Sequence, residues 1–154
     1  MSMTIEHRMQ VVHHELELVT FHVGDLLLGI DIQEIQEIGR QLDVVPVPHA
    51  PLCIRGVVNL RGEVVTVLDL RTILGMGATP LTPHSRNLII QTGSERIGLL
   101  VDRMAAVVTA NAGDIDPPPP NLPVAHSCFI RGVHRMEGTL LGILAVQELL
   151  RAEA

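Results

Sequence analysis

The residues best equipped for chemistry crowd into one run, NLRGEVVTVLDLR, which carries Asn59, Arg61, Glu63, Asp69 and Arg71. Glu37, a carboxylate following the Ile32/Ile35 apolar edge, completes the set. An arginine held by a carboxylate is aimed in advance at a partner's acceptors, so the chemistry on offer is charge-assisted recognition. Catalysis asks for more. Ser85, Ser94 and Ser127 have no nucleophile-elbow setting. The acid pairs Glu34/Glu37 and Asp114/Asp116 have no apolar surroundings that would split their proton affinities. Gly75 to Ser85 lacks the Gly-Lys-Ser/Thr ending of a phosphate loop. Cys53 and Cys128 read as small hydrophobes, and His49 and His126 beside them complete no zinc pattern. The chain is expected to have no catalytic residue, no cofactor and no metal.

The stretch that positions these charges is written twice. Ile54 to Leu74 returns as Ile130 to Leu150 at a constant offset of 76, with Ile54/Ile130, Arg55/Arg131, Gly56/Gly132, Val57/Val133, Gly62/Gly138, Leu68/Leu144 and Leu74/Leu150 identical. Each copy reads as two short strands around a tight turn, with Gly62 or Gly138 supplying positive φ, followed by a short amphipathic segment. The charges are not repeated: Arg61 becomes Glu137, Asp69 becomes Ala145 and Arg71 becomes Gln147. Turn geometry therefore does not demand arginine at 61, which points to function there. Asn59 reads as a local backbone acceptor, and Asp31, Asp69 and Asp102 as caps or turn formers.

Ahead of each copy stands another hairpin, Leu16 to Ile30 around Gly24-Asp25 and Asn87 to Val101 around Gly93-Ser94. Asp31 to Glu34 offers a helix start, and Ile32, Ile35 and Ile38 suit a short helix with one buried edge. Asp43 to Pro51, with three prolines, suits an edge strand or extended connector. Gly75 to Ser85 reads as the hinge between halves, Met104 to Thr109 as a strand, the prolines after Asp116 as a stiff spacer, and Val146 to Ala152 as a closing helix. Residues 1 to 14 read as a disordered tail, and 15 to 152 as one domain of two intertwined or adjacent halves, about 15–75 and 85–150. The expected fold is mostly all-β, two small five-stranded barrels packed together with few short helices.

Composition narrows the function. With 154 residues, 47% of them hydrophobic but no Trp or Tyr, the interior must be aliphatic. Eleven arginines, no lysine and a net charge of −6 make a poor nucleic-acid binder. No apolar run approaches 18 residues and no signal layout opens the chain, so a cytoplasmic protein without membrane insertion is expected.

The motifs NLRG and VLDLR, together with VTFHVGDLLLGIDIQEIQEI, IRGVVNLRG and IGLLVDRMAAVV in that order, make residues 16 to 150 resemble the CheW-like coupling proteins of bacterial chemosensory systems. The resemblance implies two five-stranded SH3-like β-barrels sharing a hydrophobic interface. It also implies an adaptor, recruited to receptor arrays at the inner membrane, that docks a CheA-like histidine kinase on one face. The cytoplasmic tip of a methyl-accepting chemoreceptor would dock on another. By position, the receptor groove would use Ile35, Glu37, Arg61, Gly98 and Val107, and the kinase contact would include Gly56; Ile35 and Val107 can equally be core. The alternative is a barrel that senses a small molecule, which requires an enclosed pocket with convergent polar groups.

Overall fold

Tight turns set the local pairing of this chain. The computed structural model describes residues 15–40, 44–121 and 128–153. The tail expected at 1–14, with His126 and Ser127, lies outside the described residues. β1 (Glu15–Val23) folds back on β2 (Leu26–Asp31) through Gly24, and β6 (Arg86–Thr92) on β7 (Glu95–Val101) through Gly93. The repeated stretches form the hairpins β4 (Ile54–Leu60) with β5 (Glu63–Asp69) and β10 (Ile130–Met136) with β11 (Thr139–Leu144). Gly62 and Gly138 have φ of 85° and 68°. Both hairpins carry a bulge at the same place, between Ile54 and Gly56 and between Ile130 and Gly132.

β3 (Ile35–Arg40), β8 (Arg103–Asn111) and the two-residue β9 (Ile115–Asp116) complete the strands, with α1 (Leu70–Ile73) and α2 (Val146–Glu153) after the two repeats. The helix expected around Ile32, Ile35 and Ile38 shrinks to a 3₁₀ turn over Ile32–Glu34, whose Gln33 amide donates to Asp31. From Ile35 onward the chain pairs with β6, because β-branched residues beside a free strand edge gain a ladder that a lone helical turn cannot offer.

The sheets mix the two halves. One has the order β8-β1-β2-β11-β10-β9 and the other β3-β6-β7-β5-β4. The β1–β2 hairpin of the first half is thus inserted between β8 and β11 of the second, and β6–β7 of the second between β3 and β5 of the first. Equivalent contacts recur in register: β5 runs parallel to β7 with Val67 opposite Gly98, and β11 parallel to β2 with Ile143 opposite Gly29. The all-β expectation holds, but the sheets are open. β8 and β9 end the six-stranded one, and β3 and β4 end the five-stranded one, where two small five-stranded barrels were expected.

Three apolar clusters follow from the alternation of side chains. The largest, with Phe21, Ile30, Leu68, Leu88, Ile90, Leu99 and Leu149, fills the space between the sheets and draws on both halves. Smaller clusters back each sheet, around Leu18, Leu141 and Ile143 and around Val58, Val65, Val67 and Leu100. Fully burying such a side chain contributes about 1.5–3 kcal/mol.

The expected hinge is pinned instead. Thr79, buried, donates its amide and hydroxyl to Asp69 at 2.9 and 2.5 Å, and its carbonyl accepts from Arg55 at 3.2 Å.

Candidate functional site

β4 and β5 turn through Arg61 and Gly62, with φ of 52° and 85°, the left-handed pair of a tight two-residue turn. Asn59 Oδ1 braces it by accepting from the Gly62 amide at 2.9 Å. A left-handed backbone at a residue with a Cβ costs about 1–2 kcal/mol, and the equivalent Glu137 does not adopt it. The strained turn lifts Arg61 to the mouth of the five-stranded sheet, with its side chain 79% exposed. Glu37 comes there from β3 and accepts from Arg61 Nη2 at 3.5 Å. Arg96, at the start of β7, lies between them, donating to Glu63 at 2.6 Å and to Gln36 at 2.7 Å and standing 4.0 Å from Glu37. Gln36 also donates to Gln91. Gln36, Glu37, Arg61, Gln91 and Arg96 line a polar cleft of about 380 Å³. The bulge between Ile35 and Glu37 lets both Gln36 and Glu37 reach it.

Strand register sorts the other candidate residues. Glu37, Ile89, Gly98, Val67 and Gly56 form one lateral row across the sheet, from β3 to β4. Gly98 is buried in that row, and a Cβ there would lie 3.3 Å from Val67 and 3.5 Å from Ile89. Gly29 fills the matching position in the other sheet, where a Cβ would lie 3.4 Å from Leu141. The shared spacing of Gly24/Gly93 and Gly29/Gly98 was the available sign that Gly98 is needed for packing. Gly56 ends the row at the bulge, where the backbone of Val45 pairs with Val57. Ile35 points the other way, opposite Ile90, and packs against the shared core. Val107 is on β8 of the other sheet, opposite Val19 and 57% exposed. The structure therefore joins Glu37 with Arg61, sets Gly98 and Gly56 in the same row behind them, packs Ile35 against the shared core, and leaves Val107 exposed on the other sheet.

A second charged pair, missed from sequence, links the halves. Arg71 of α1 forks onto Asp102 after β7, with Nε at 3.0 and 3.2 Å from the two carboxylate oxygens, and Asp102 also accepts from the Gly24 amide at 3.2 Å. Burial raises the Asp102 carboxyl, but the hydrogen bonds of Arg71 and Gly24 and the charges of Arg71 and His22 outweigh it and hold it below the ordinary aspartate range. The Asp102 bond in turn raises Arg71. A depressed carboxyl contributes stability above the ordinary range that is lost as pH falls through its folded value. Asp102→Asn is expected to be less stable than the parent at neutral pH, with the gap closing at a pH below the ordinary aspartate range. Urea unfolding at both pH values measures it, and a gap independent of pH contradicts the assignment.

Among the described residues no group of three or more His, Cys, Asp or Glu could hold a metal ion. No helix among them is long and apolar enough to cross a membrane. A cleft of about 480 Å³ beside Leu26, Leu28, Leu74, Ile130 and Val133 has Asp25 as its one charged lining residue, without the convergent polar groups that a small-molecule sensor requires.

The arrangement matches known proteins along nearly its whole length. Residues 17–154 match the CheW-like domain. The chain is 34% identical over 137 residues to the chemotaxis protein CheW of Rhizobium meliloti (strain 1021), covering 89% of this chain and 88% of that one. It is 30% identical over 157 residues to the chemotaxis protein CheW of Treponema pallidum (strain Nichols), covering 97% and 92%. The crystal structure of the scaffolding protein TtCheW from Thermoanaerobacter tengcongensis superposes with a TM-score of 0.78 at 28% identity, covering 84% of this chain and 88% of that one. The doubled, hairpin-exchanged β fold and the sequence agree, and the chain belongs to the CheW-like family.

Proposed function

We propose that this chain is a non-enzymatic adaptor of bacterial chemotaxis or a related motility system, coupling the cytoplasmic tips of methyl-accepting chemoreceptors to a CheA-like histidine kinase. Family membership and the chemotaxis proteins it resembles support this reading. Residues 15–152 would act as one unit, a reading supported by the exchange of hairpins between the sheets. The protein would work in the cytoplasm, at receptor arrays on the inner membrane, without nucleic acid.

The observation that carries the site is the asymmetry of the two copies. Only the first accepts a strained turn to present an arginine, and backbone strain that persists at one of two equivalent turns marks a functional position. Receptor contact is assigned to Arg61 and Glu37, with Gly98 making room behind them, Ile35 at the edge of the shared core and Val107 offering an exposed apolar contact on the other sheet. Kinase contact is assigned to the edge at Gly56, where the glycine admits Val44 and Val45.

Arg61→Ala or Glu37→Ala removes a charge-assisted bond worth roughly 1.5–3 kcal/mol, so receptor binding should weaken about tenfold or more. With Arg61 79% exposed, the ion pair contributes little to the fold. Titration of each variant against receptor and kinase fragments tests this. A loss confined to receptor is expected, equal losses for both partners would mean a folding defect, and an unchanged receptor affinity would reject the groove.

A further inference from the structure

Arg96 stands apart in the polar cleft. Its side chain is 19% exposed, against 79% for Arg61, so it is poorly placed to reach a partner itself. It is instead engaged from within: Nε donates to Gln36 Oε1, Nη1 to Glu63 Oε2, and Nη2 faces Glu37 Oε1 at 4.0 Å. Those three acceptors come from the edge strand β3 and from β5, on either side of Arg96 in the sheet. Glu37 meets Arg96 with one oxygen and Arg61 with the other. Without the Arg96 charge, Glu37 would lose the cation that holds it at the mouth, and Gln36 would lose a donor.

We propose that Arg96 is a positioning residue for receptor recognition: it fixes Glu37 and Gln36 so that Glu37 presents Arg61 to the partner. The inference rests on the assignment of Arg61 and Glu37 to the receptor face. The planar fork matters more than the charge, because two nitrogens hydrogen-bond Gln36 and Glu63 while the third faces Glu37, and an ammonium on a flexible stem cannot reproduce that geometry. The other sheet is built without the device. Gly29 corresponds to Gly98 and Gly24 to Gly93, which matches Leu27 to Arg96, and Thr139 stands there where this sheet has Glu63.

The test is a double-mutant cycle between Arg96→Gln and Arg61→Ala, with Arg96→Lys alongside. Binding is read by titration against the soluble cytoplasmic fragment of a methyl-accepting receptor from the same organism, with thermal melts to verify folding. Arg96→Gln should weaken binding about fivefold to tenfold, and Arg96→Lys should recover little of it. In the Arg61→Ala background, Arg96→Gln should cost less than about twofold, because residues acting through one another are not additive. A purely structural role would give the same loss in both backgrounds, and that result overturns the inference while leaving the receptor assignment standing. Full recovery by Arg96→Lys overturns it as well. If Arg61→Ala alone leaves binding unchanged, the receptor assignment fails and the inference falls with it.

Discussion

Asp69→Ala is expected to lower the unfolding free energy by about 3–5 kcal/mol, the cost of breaking a buried ion pair from one side. The Asp69 side chain is only 2% exposed and accepts from four donors: Arg55 Nη1 at 3.0 Å, the Thr79 amide at 2.9 Å, the Thr79 hydroxyl at 2.5 Å and the Thr72 amide at 3.3 Å. It caps α1 and ties the connector between the halves to the β5 end at once. Truncation leaves Arg55 without its carboxylate and Thr79 with two orphaned donors. The second copy shows what the fold does without this hub, since Ala145 replaces Asp69 and α2 starts at the equivalent residue, Val146, without a carboxylate cap. Denaturant unfolding of Asp69→Ala measures the loss, and a change below about 1 kcal/mol would mean that the network is ornamental.

Gly56→Ala should cost about 3 kcal/mol and abolish whatever contact the β4 edge makes. A Cβ at Gly56 would lie 2.3 Å from the Val45 carbonyl oxygen and 2.7 Å from a Val44 methyl, at a φ of 152°. Backbone cannot yield as a side-chain tip can. Val44 and Val45 would have to leave, breaking the paired hydrogen bonds between Val45 and Val57 at 2.8 and 2.9 Å and uncovering the cluster around Val58. Overpacking and left-handed strain together reach that figure. Gly132→Ala is the internal control. Its nearest obstacle is the Ile115 Cγ2 methyl at 2.6 Å, a side chain able to turn away, with backbone no closer than 3.1 Å. The first variant should therefore unfold at distinctly lower denaturant than the second, and equal midpoints would contradict the account of the bulge.

Much of this structure was legible in the residues themselves. The offset repeat, the glycines at the hairpin tips and the closing helix all depend on short-range chemistry, and each lies where the pattern placed it. Strand exchange was not legible, because alternation tells which face of a strand is buried and says nothing about which half provides its neighbour. The same ignorance made Gly75 to Ser85 look like a hinge, since a loop held by a buried threonine and a capping aspartate has the composition of a free one. At the site, the reading paired Glu37 with Arg61, but Arg96 was passed over because its acceptors, Gln36 and Glu63, are 60 and 33 residues away in the chain. Ile32, Ile35 and Ile38 misled for a different reason: a three-residue period over so short a run suits a helix and a bulged strand equally.

The central claim is coupling, and it is tested most directly by following phosphorylation of a CheA-like kinase with receptor-bearing membranes, with and without this protein. The account predicts that kinase output responds to receptor only when all three components are present, and that the protein alone turns over no ATP. Receptor control that is equally strong in its absence, or ATP hydrolysis by the purified chain, would contradict it.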